Sequence, residues 1–205
     1  MVGTGEVSLP PDVLTVRIGA EVTGRAVPEA LDRCSEATAA MAGLLRQRGV
    51  ADRDLQTAAA SIYQAHDHNG RPRGWTATQQ LVVRLRDLPG AGDLISAAVA
   101  TAGDAARLQS VTFDIDRTSE RYRAAQVEAR RRAFADAQSK ADQYAQLAGR
   151  RLGVVISVRE SHPGYSPPIP LRQAAFRTAD AGGMPVESGE LDVTATVEVR
   201  WELVS

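Results

Sequence analysis

Hydrophobic and polar residues alternate most clearly at the two ends of the chain. Leu191, Val193, Ala195, Val197, Val199, Trp201 and Leu203 take one side of the backbone, and Asp192, Thr194, Thr196, Glu198, Arg200 and Glu202 take the other. A period of two sustained over that length predicts an antiparallel strand with one wet face. Leu14, Val16, Ile18, Ala20 and Val22 alternate with Thr15, Arg17, Gly19 and Glu21 in the same manner. At about 3.3 Å per residue each segment spans roughly 35–45 Å, longer than an ordinary strand, which predicts a bend, a bulge or service to two packed regions. Ahead of the first, Gly3 to Ser8 predicts a short strand, turned by Pro10-Pro11.

The period then changes. Pro28 opens a helix whose stripe is Ala30, Leu31, Cys34, Ala37, Thr38, Met41, Leu44 and Leu45, with Gly49 as its end. Leu55 to Tyr63 and Trp75 to Arg86 predict two strands joined through the turn signal Asn69-Gly70. A short helix follows across Leu94, Ile95, Ala98 and Val99, and then a strand in which Val111, Phe113 and Ile115 alternate with Thr112, Asp114 and Asp116. The longest helix is expected from about Thr118 to Gly149. Ala125, Ala129, Ala133, Ala137, Ala141 and Ala145 recur along it at every fourth position. Such a row is a ridge of methyl groups that lets another backbone come close, either in helix packing within one subunit or at a subunit interface. Leu152, Val154, Ile156 and Val158 give one further strand. From Ser161 to Ser188 the period is lost, and Pro163, Pro167, Pro168, Pro170 and Pro185 crowd a stretch too long for an ordinary connection. The order β-β-α-β-β-α-β-α-β-β predicts an α+β protein with mainly antiparallel sheets.

Composition narrows the possible partners. The 205 residues are 43% hydrophobic and 24% charged, with a formal net charge of −1 and 4% aromatics. That balance is globular; it lacks the basic excess that holds nucleic acid and the aromatic platforms that stack bases. No run approaches the roughly 18 apolar residues of a membrane span. Met1 to Glu6 show neither a basic nor an apolar leader region, which predicts a cytoplasmic protein. Cys34 is the only cysteine, so no internal disulfide forms, and it is expected as a small buried residue.

Candidate chemistry is thin. On a strand His66 and His68, flanking Asp67, would share a face at a workable metal-ligand spacing, but they lead into Asn69-Gly70 and read as a solvated hairpin end. Asp114 and Asp116 would share a strand face and, with Glu120, could hold a magnesium ion; polar alternation opposite Phe113 and Ile115 explains them as well. Gly3-Thr4-Gly5 lacks the third glycine and the following helix of a phosphate-binding turn. Arg130-Arg131-Arg132 suggests a nucleic-acid patch, yet Glu128 and Asp136 nearby make it a solvated helical face. No nucleophile elbow, zinc-protease or Walker signature is present. The sequence therefore predicts no catalytic residue, no cofactor and no resident metal.

The opening Gly3-x-Gly5-Glu6-Val7 and Pro11-Asp12-x-x-Thr15-Val16 resemble the start of SIMPL-domain proteins. Asp54-Leu55-Gln56-Thr57, Asn69-Gly70, Gly74-x-x-Ala77, Val83-x-Leu85-x-Asp87-Leu88, Lys140-Ala141 and Gly189-Glu190-Leu191 continue the likeness in order over nearly the whole chain. The resemblance implies two α/β sandwiches, one inserted in the other. Residues 55–117 would form the inserted ββαβ unit, with 1–54 and 118–205 forming the outer one. It carries no agreed activity or catalytic residues. It also implies a largely uncharacterised bacterial family whose members are typically exported, with immunogenic antigens, ring-like oligomers and links to oxidative-stress tolerance among them. The expectation drawn from all of this is a non-enzymatic homo-oligomer. Two alternatives stand beside it: a monomeric module that docks a protein partner on the proline-rich loop 162–187, and a metal-dependent enzyme centred on His66 and His68.

Overall fold

A computed structural model describes residues 1–161 and 189–205. The proline-rich loop 162–187, and with it the docking alternative, lies outside the described residues. The elements run β1 (Val2–Leu9), β2 (Val13–Gly24), α1 (Val27–Gln47), β3 (Leu55–His66), β4 (Pro72–Leu85), α2 (Ala91–Ala102), β5 (Ala106–Asp114), α3 (Glu120–Leu147), β6 (Arg151–Ser161) and β7 (Leu191–Val204). The expected α+β order is the observed one, and every strand pairing is antiparallel.

The described chain forms two units, one interrupting the other in sequence: 12–114 makes one, and 1–11, 115–161 and 189–205 make the other. The boundaries expected at 54 and 117 would leave β2 and α1 in the outer unit. Sheet order places them in the insert instead, because β2 is an inner strand of the four-stranded sheet β3-β4-β2-β5.

In the inserted unit, α1 begins at Pro28 in its first turn, where a missing N–H costs nothing. The Glu29 carboxylate accepts a 2.9 Å hydrogen bond from the Arg25 N–H, at the helix end where the dipole favours an anion. Ala30, Cys34, Thr38, Met41 and Leu45 then line its buried face. They meet Leu14, Val16, Ile18, Ala20 and Val22, the alternating row read from the sequence, together with Leu81, Val83 and Leu85 of β4. Each large aliphatic buried there contributes about 1.5–3 kcal/mol. β2 also carries the expected irregularity, a register shift against β5 between Arg17 and Ile18.

The outer unit is a three-stranded sheet, β1-β7-β6, with α3 laid on one face. Ser119 caps α3, its Oγ accepting from Tyr122 N at 3.1 Å. All six alanines of the ridge are buried inside this unit, against Val193, Ala195, Val197 and Val199 of β7 and the glycines of β1. The ridge is packing within one chain. A Cβ placed on Gly3 would collide with the backbone of Ala133 and Ala137, and one on Gly5 with that of Ala129 and Ala133. Alanine on the helix and glycine on the strand therefore answer a single requirement, close backbone approach.

Candidate functional site

The inserted unit opens a cleft of about 320 Å³ where the C-terminal half of α1 stands off from β3. Thr38, Ala42, Arg46, Leu55, Thr57 and Gln79 are among the residues that line it. Gln79 stands opposite Ala20 and Ala60, an amide in a row of β4 otherwise occupied by Ala77 and Leu81. The lining offers hydroxyls and an amide for hydrogen bonding. Its one guanidinium is already engaged, with Arg46 Nε donating to Asp52 at 2.8 Å. Beneath α1 the Cys34 thiol donates to Ala20 O at 3.4 Å, and burial pushes its pKa up, which keeps it a thiol and unreactive.

The residues singled out for chemistry do not converge. His66 ends β3, exposed, and Asp67 holds the hairpin: its Oδ1 accepts from Asn69 N at 2.8 Å and Arg71 N at 2.9 Å. Gly70 supplies the positive φ of 74° that this turn needs. His68 lies on the outside of the turn with its Nε2 at 3.0 Å from the Asn69 amide nitrogen. Asp114 and Asp116 do not share a strand face. β5 stops at Asp114, and Asp116 folds into the turn before α3, its Oδ1 accepting from Thr118 N at 3.0 Å and Thr118 Oγ1 at 2.7 Å. Among the described residues no three histidine, cysteine or acidic side chains come together as a metal group.

The arginine triplet is paired within the chain. Arg130 reaches Glu160 at 2.9 Å, Arg131 reaches Glu128 at 2.7 Å, and Arg132 reaches Glu128 at 2.9 Å. Hydrogen bonds from Arg131 and then Arg132 hold the Glu128 carboxyl down at about 2. Three guanidiniums share two carboxylates, so the face keeps one positive charge in excess, but each arginine is engaged within the chain.

Sequence reading missed two features. In the inserted unit Asp54, nearly buried, takes a forked pair from Arg86, Nε to Oδ2 at 3.1 Å and Nη2 to Oδ1 at 3.2 Å. This tie clamps the short turn before β3 to the end of β4. In the outer unit the two sheet edges are treated differently. α3 seals the β1 edge with side chains: Lys140 donates to Val2 O at 3.3 Å and Arg132 to Glu6 O at 2.6 Å, Asp136 accepts from Thr4 N at 2.9 Å, and Arg121 donates to Pro10 O at 3.1 Å. The β6 edge has no such row among the described residues. There Val154, Val155, Ile156 and Val158 are 69%, 44%, 62% and 53% exposed. The strand expected from Leu152, Val154, Ile156 and Val158 is present, but α3 lies over β1 and β7 and leaves its aliphatic side chains in water.

Compared with known proteins, residues 1–201 match a family model described as SIMPL, protein of unknown function (DUF541). Two similar curated proteins come from Brucella melitensis biotype 1 and Brucella abortus strain S19, and each is called a 26 kDa periplasmic immunogenic protein. Each is 28% identical to this chain over 214 residues, covering 98% of it and 82% of the relative. These relatives overturn the expectation of a cytoplasmic protein, since chains alike over nearly the whole length are named periplasmic. That expectation rested on Met1 to Glu6, and export leaders are cleaved from mature chains, so first residues alone do not report the compartment.

Proposed function

Because the chain belongs to the SIMPL family, whose description is a protein of unknown function, we propose that it is a periplasmic protein that acts by assembling with copies of itself and not by catalysis. The observation that carries this is the aliphatic row of β6, exposed on the strand that ends the sheet order β1-β7-β6 among the described residues. A patch of that kind marks an interaction surface or an aggregation hazard, and the folded outer unit around it favours the first. Catalysis is left out because the histidines and acids singled out for chemistry do not converge: Asp67 and Asp116 hold turns, and no metal group forms among the described residues. The periplasmic placement is taken from the names of the two Brucella relatives.

Light scattering after gel filtration tests the assembly. A molar mass at a multiple of the 21.9 kDa chain supports it, and a mass that stays at 21.9 kDa across the accessible concentrations sinks it. Fractionation of the source cell tests the placement: recovery with the cytosol and not with the periplasmic extract would refute it. A direct scavenging part in oxidative stress is not favoured, since the one thiol, Cys34, is buried and held protonated.

A further inference from the structure

The cleft between α1 and β3 is built on an exception to the core pattern of its own sheet. Along β4 the residues on the α1 side are Ala77, Gln79, Leu81 and Val83, and the three aliphatic ones are buried in the core. Gln79 breaks that row with a half-buried amide that lines the cleft and hydrogen bonds to no other described side chain or backbone group. An amide held there unpartnered costs stability that leucine at the same place would recover. The hydroxyls of Ser35 and Thr57, also in the lining, have no partner among the described residues either, whereas that of Thr38 is spent on Cys34 O at 2.8 Å. Arg46 completes the set. Asp52 takes its Nε at 2.8 Å, and no described residue takes its Nη donors. That bond fixes the plane of the guanidinium and leaves its outer fork open, the geometry that receives a carboxylate through two parallel bonds. Asp52 is 83% exposed, so water screens its charge from an incoming anion.

From these groups we propose that the cleft binds a small carboxylate that also carries an amide and short aliphatic side chains, the chemistry shared by an N-acylated amino acid and the carboxyl end of a peptide. The carboxylate pairs with the open fork of Arg46. The ligand amide exchanges hydrogen bonds with Gln79, whose side chain offers both a donor and an acceptor. Its methyl groups lie on Ala42, Leu55 and Leu81. At about 320 Å³ the cleft stands at the lower end of pockets that hold small ligands, which favours short side chains over aromatic ones. No acid is among the described residues of the lining, so a cationic ligand would enter without a counter-charge. The binding site lies within the inserted unit and does not depend on the self-assembly reading.

Titration of the isotope-labelled full chain with acetyl-alanyl-alanine, followed by NMR, tests the site. Saturable shifts should gather at the Gln79 side-chain amide, the Thr57 amide and the Arg46 Nε–H. The same probe with its carboxyl group amidated should bind roughly tenfold or more weakly. Arg46→Gln should cost the free acid a like factor and leave the amidated probe unaffected. Gln79→Leu should remove binding of both probes while the urea midpoint holds or rises. Arg48→Gln, at an exposed position just past α1, is the control and should change nothing. Should Gln79→Leu fail to fold, the exposed Arg46 variant carries the test alone. Acetyl-tetra-alanine separates the two sources of this chemistry: tighter binding than the shorter probe assigns the site to a peptide end, and equal binding to a free acyl amino acid. No saturable shift at the cleft up to about 20 mM probe overturns the proposal. Equal affinity for acid and amidated probe overturns it too, as does binding undiminished in both cleft variants.

Discussion

Gly3 and Gly5 have no side chains, yet they decide how near α3 comes to its sheet. Gly5→Ala pushes a methyl group into the backbone of Ala129 and Ala133, neither of which can move away singly. A cost of about 1–3 kcal/mol is expected in urea denaturation, the range for an overfilled contact. Gly43, on α1 with open space around its Cα, should respond with the opposite sign: Gly43→Ala gains about 0.5–1 kcal/mol from helix propensity alone. Glu128 gives a pH signature. Its carboxyl is lowered from the ordinary 4.5 to about 2 by Arg131 and Arg132, so whatever stability it adds is complete above 4.5 and vanishes as pH falls through about 2. Glu128→Gln should therefore lower the urea midpoint at pH 7 and leave it unchanged below pH 2. Both ends of the helix-on-sheet contact, the Gly3-x-Gly5 pair and the alanine row, were visible as sequence patterns. That each explains the other was not, because a strand with no side chains at its buried positions gives no hydrophobic signal.

At the scale of elements, every strand and helix expected from periodicity is present, and the errors concern which faces are covered. Alternation in β7 and in β6 looks alike on paper. α3 lies on the first and not on the second, and coverage depends on sheet order, which local pattern does not encode. The end of β5 differs for a related reason. Ile115 fits the alternation of that strand, but it packs in the outer unit with Ala125 and Val193, so the strand stops one residue earlier. The Asp54–Arg86 pair was invisible because it joins residues 32 positions apart whose types are common on any surface. Removing its cation by Arg86→Met leaves a nearly buried carboxylate with only the more distant Arg53, at 3.8 Å. The expected loss is about 1–3 kcal/mol in thermal or urea unfolding, recovered in part by Arg86→Lys.

For the molecule as a whole, the insertion makes its two units unequal. Residues 12–114 are continuous in the chain and enclose a core of Leu14, Val16, Ile18, Met41 and Val83. A fragment of those residues alone should melt cooperatively by circular dichroism and show dispersed amide resonances. The outer unit has no such independence, since its strands come from both ends of the chain. Met1 illustrates the distance, its amino group donating at 2.6 Å to the carbonyl of Val199, 198 positions away. That separation also has a meaning in time. The inserted unit can fold on contacts within 12–114, whereas β1 pairs only once β7, nearly two hundred positions along the chain, reaches it. Closing so large a loop is slow, so the arrival of β7 sets when the outer sheet can exist.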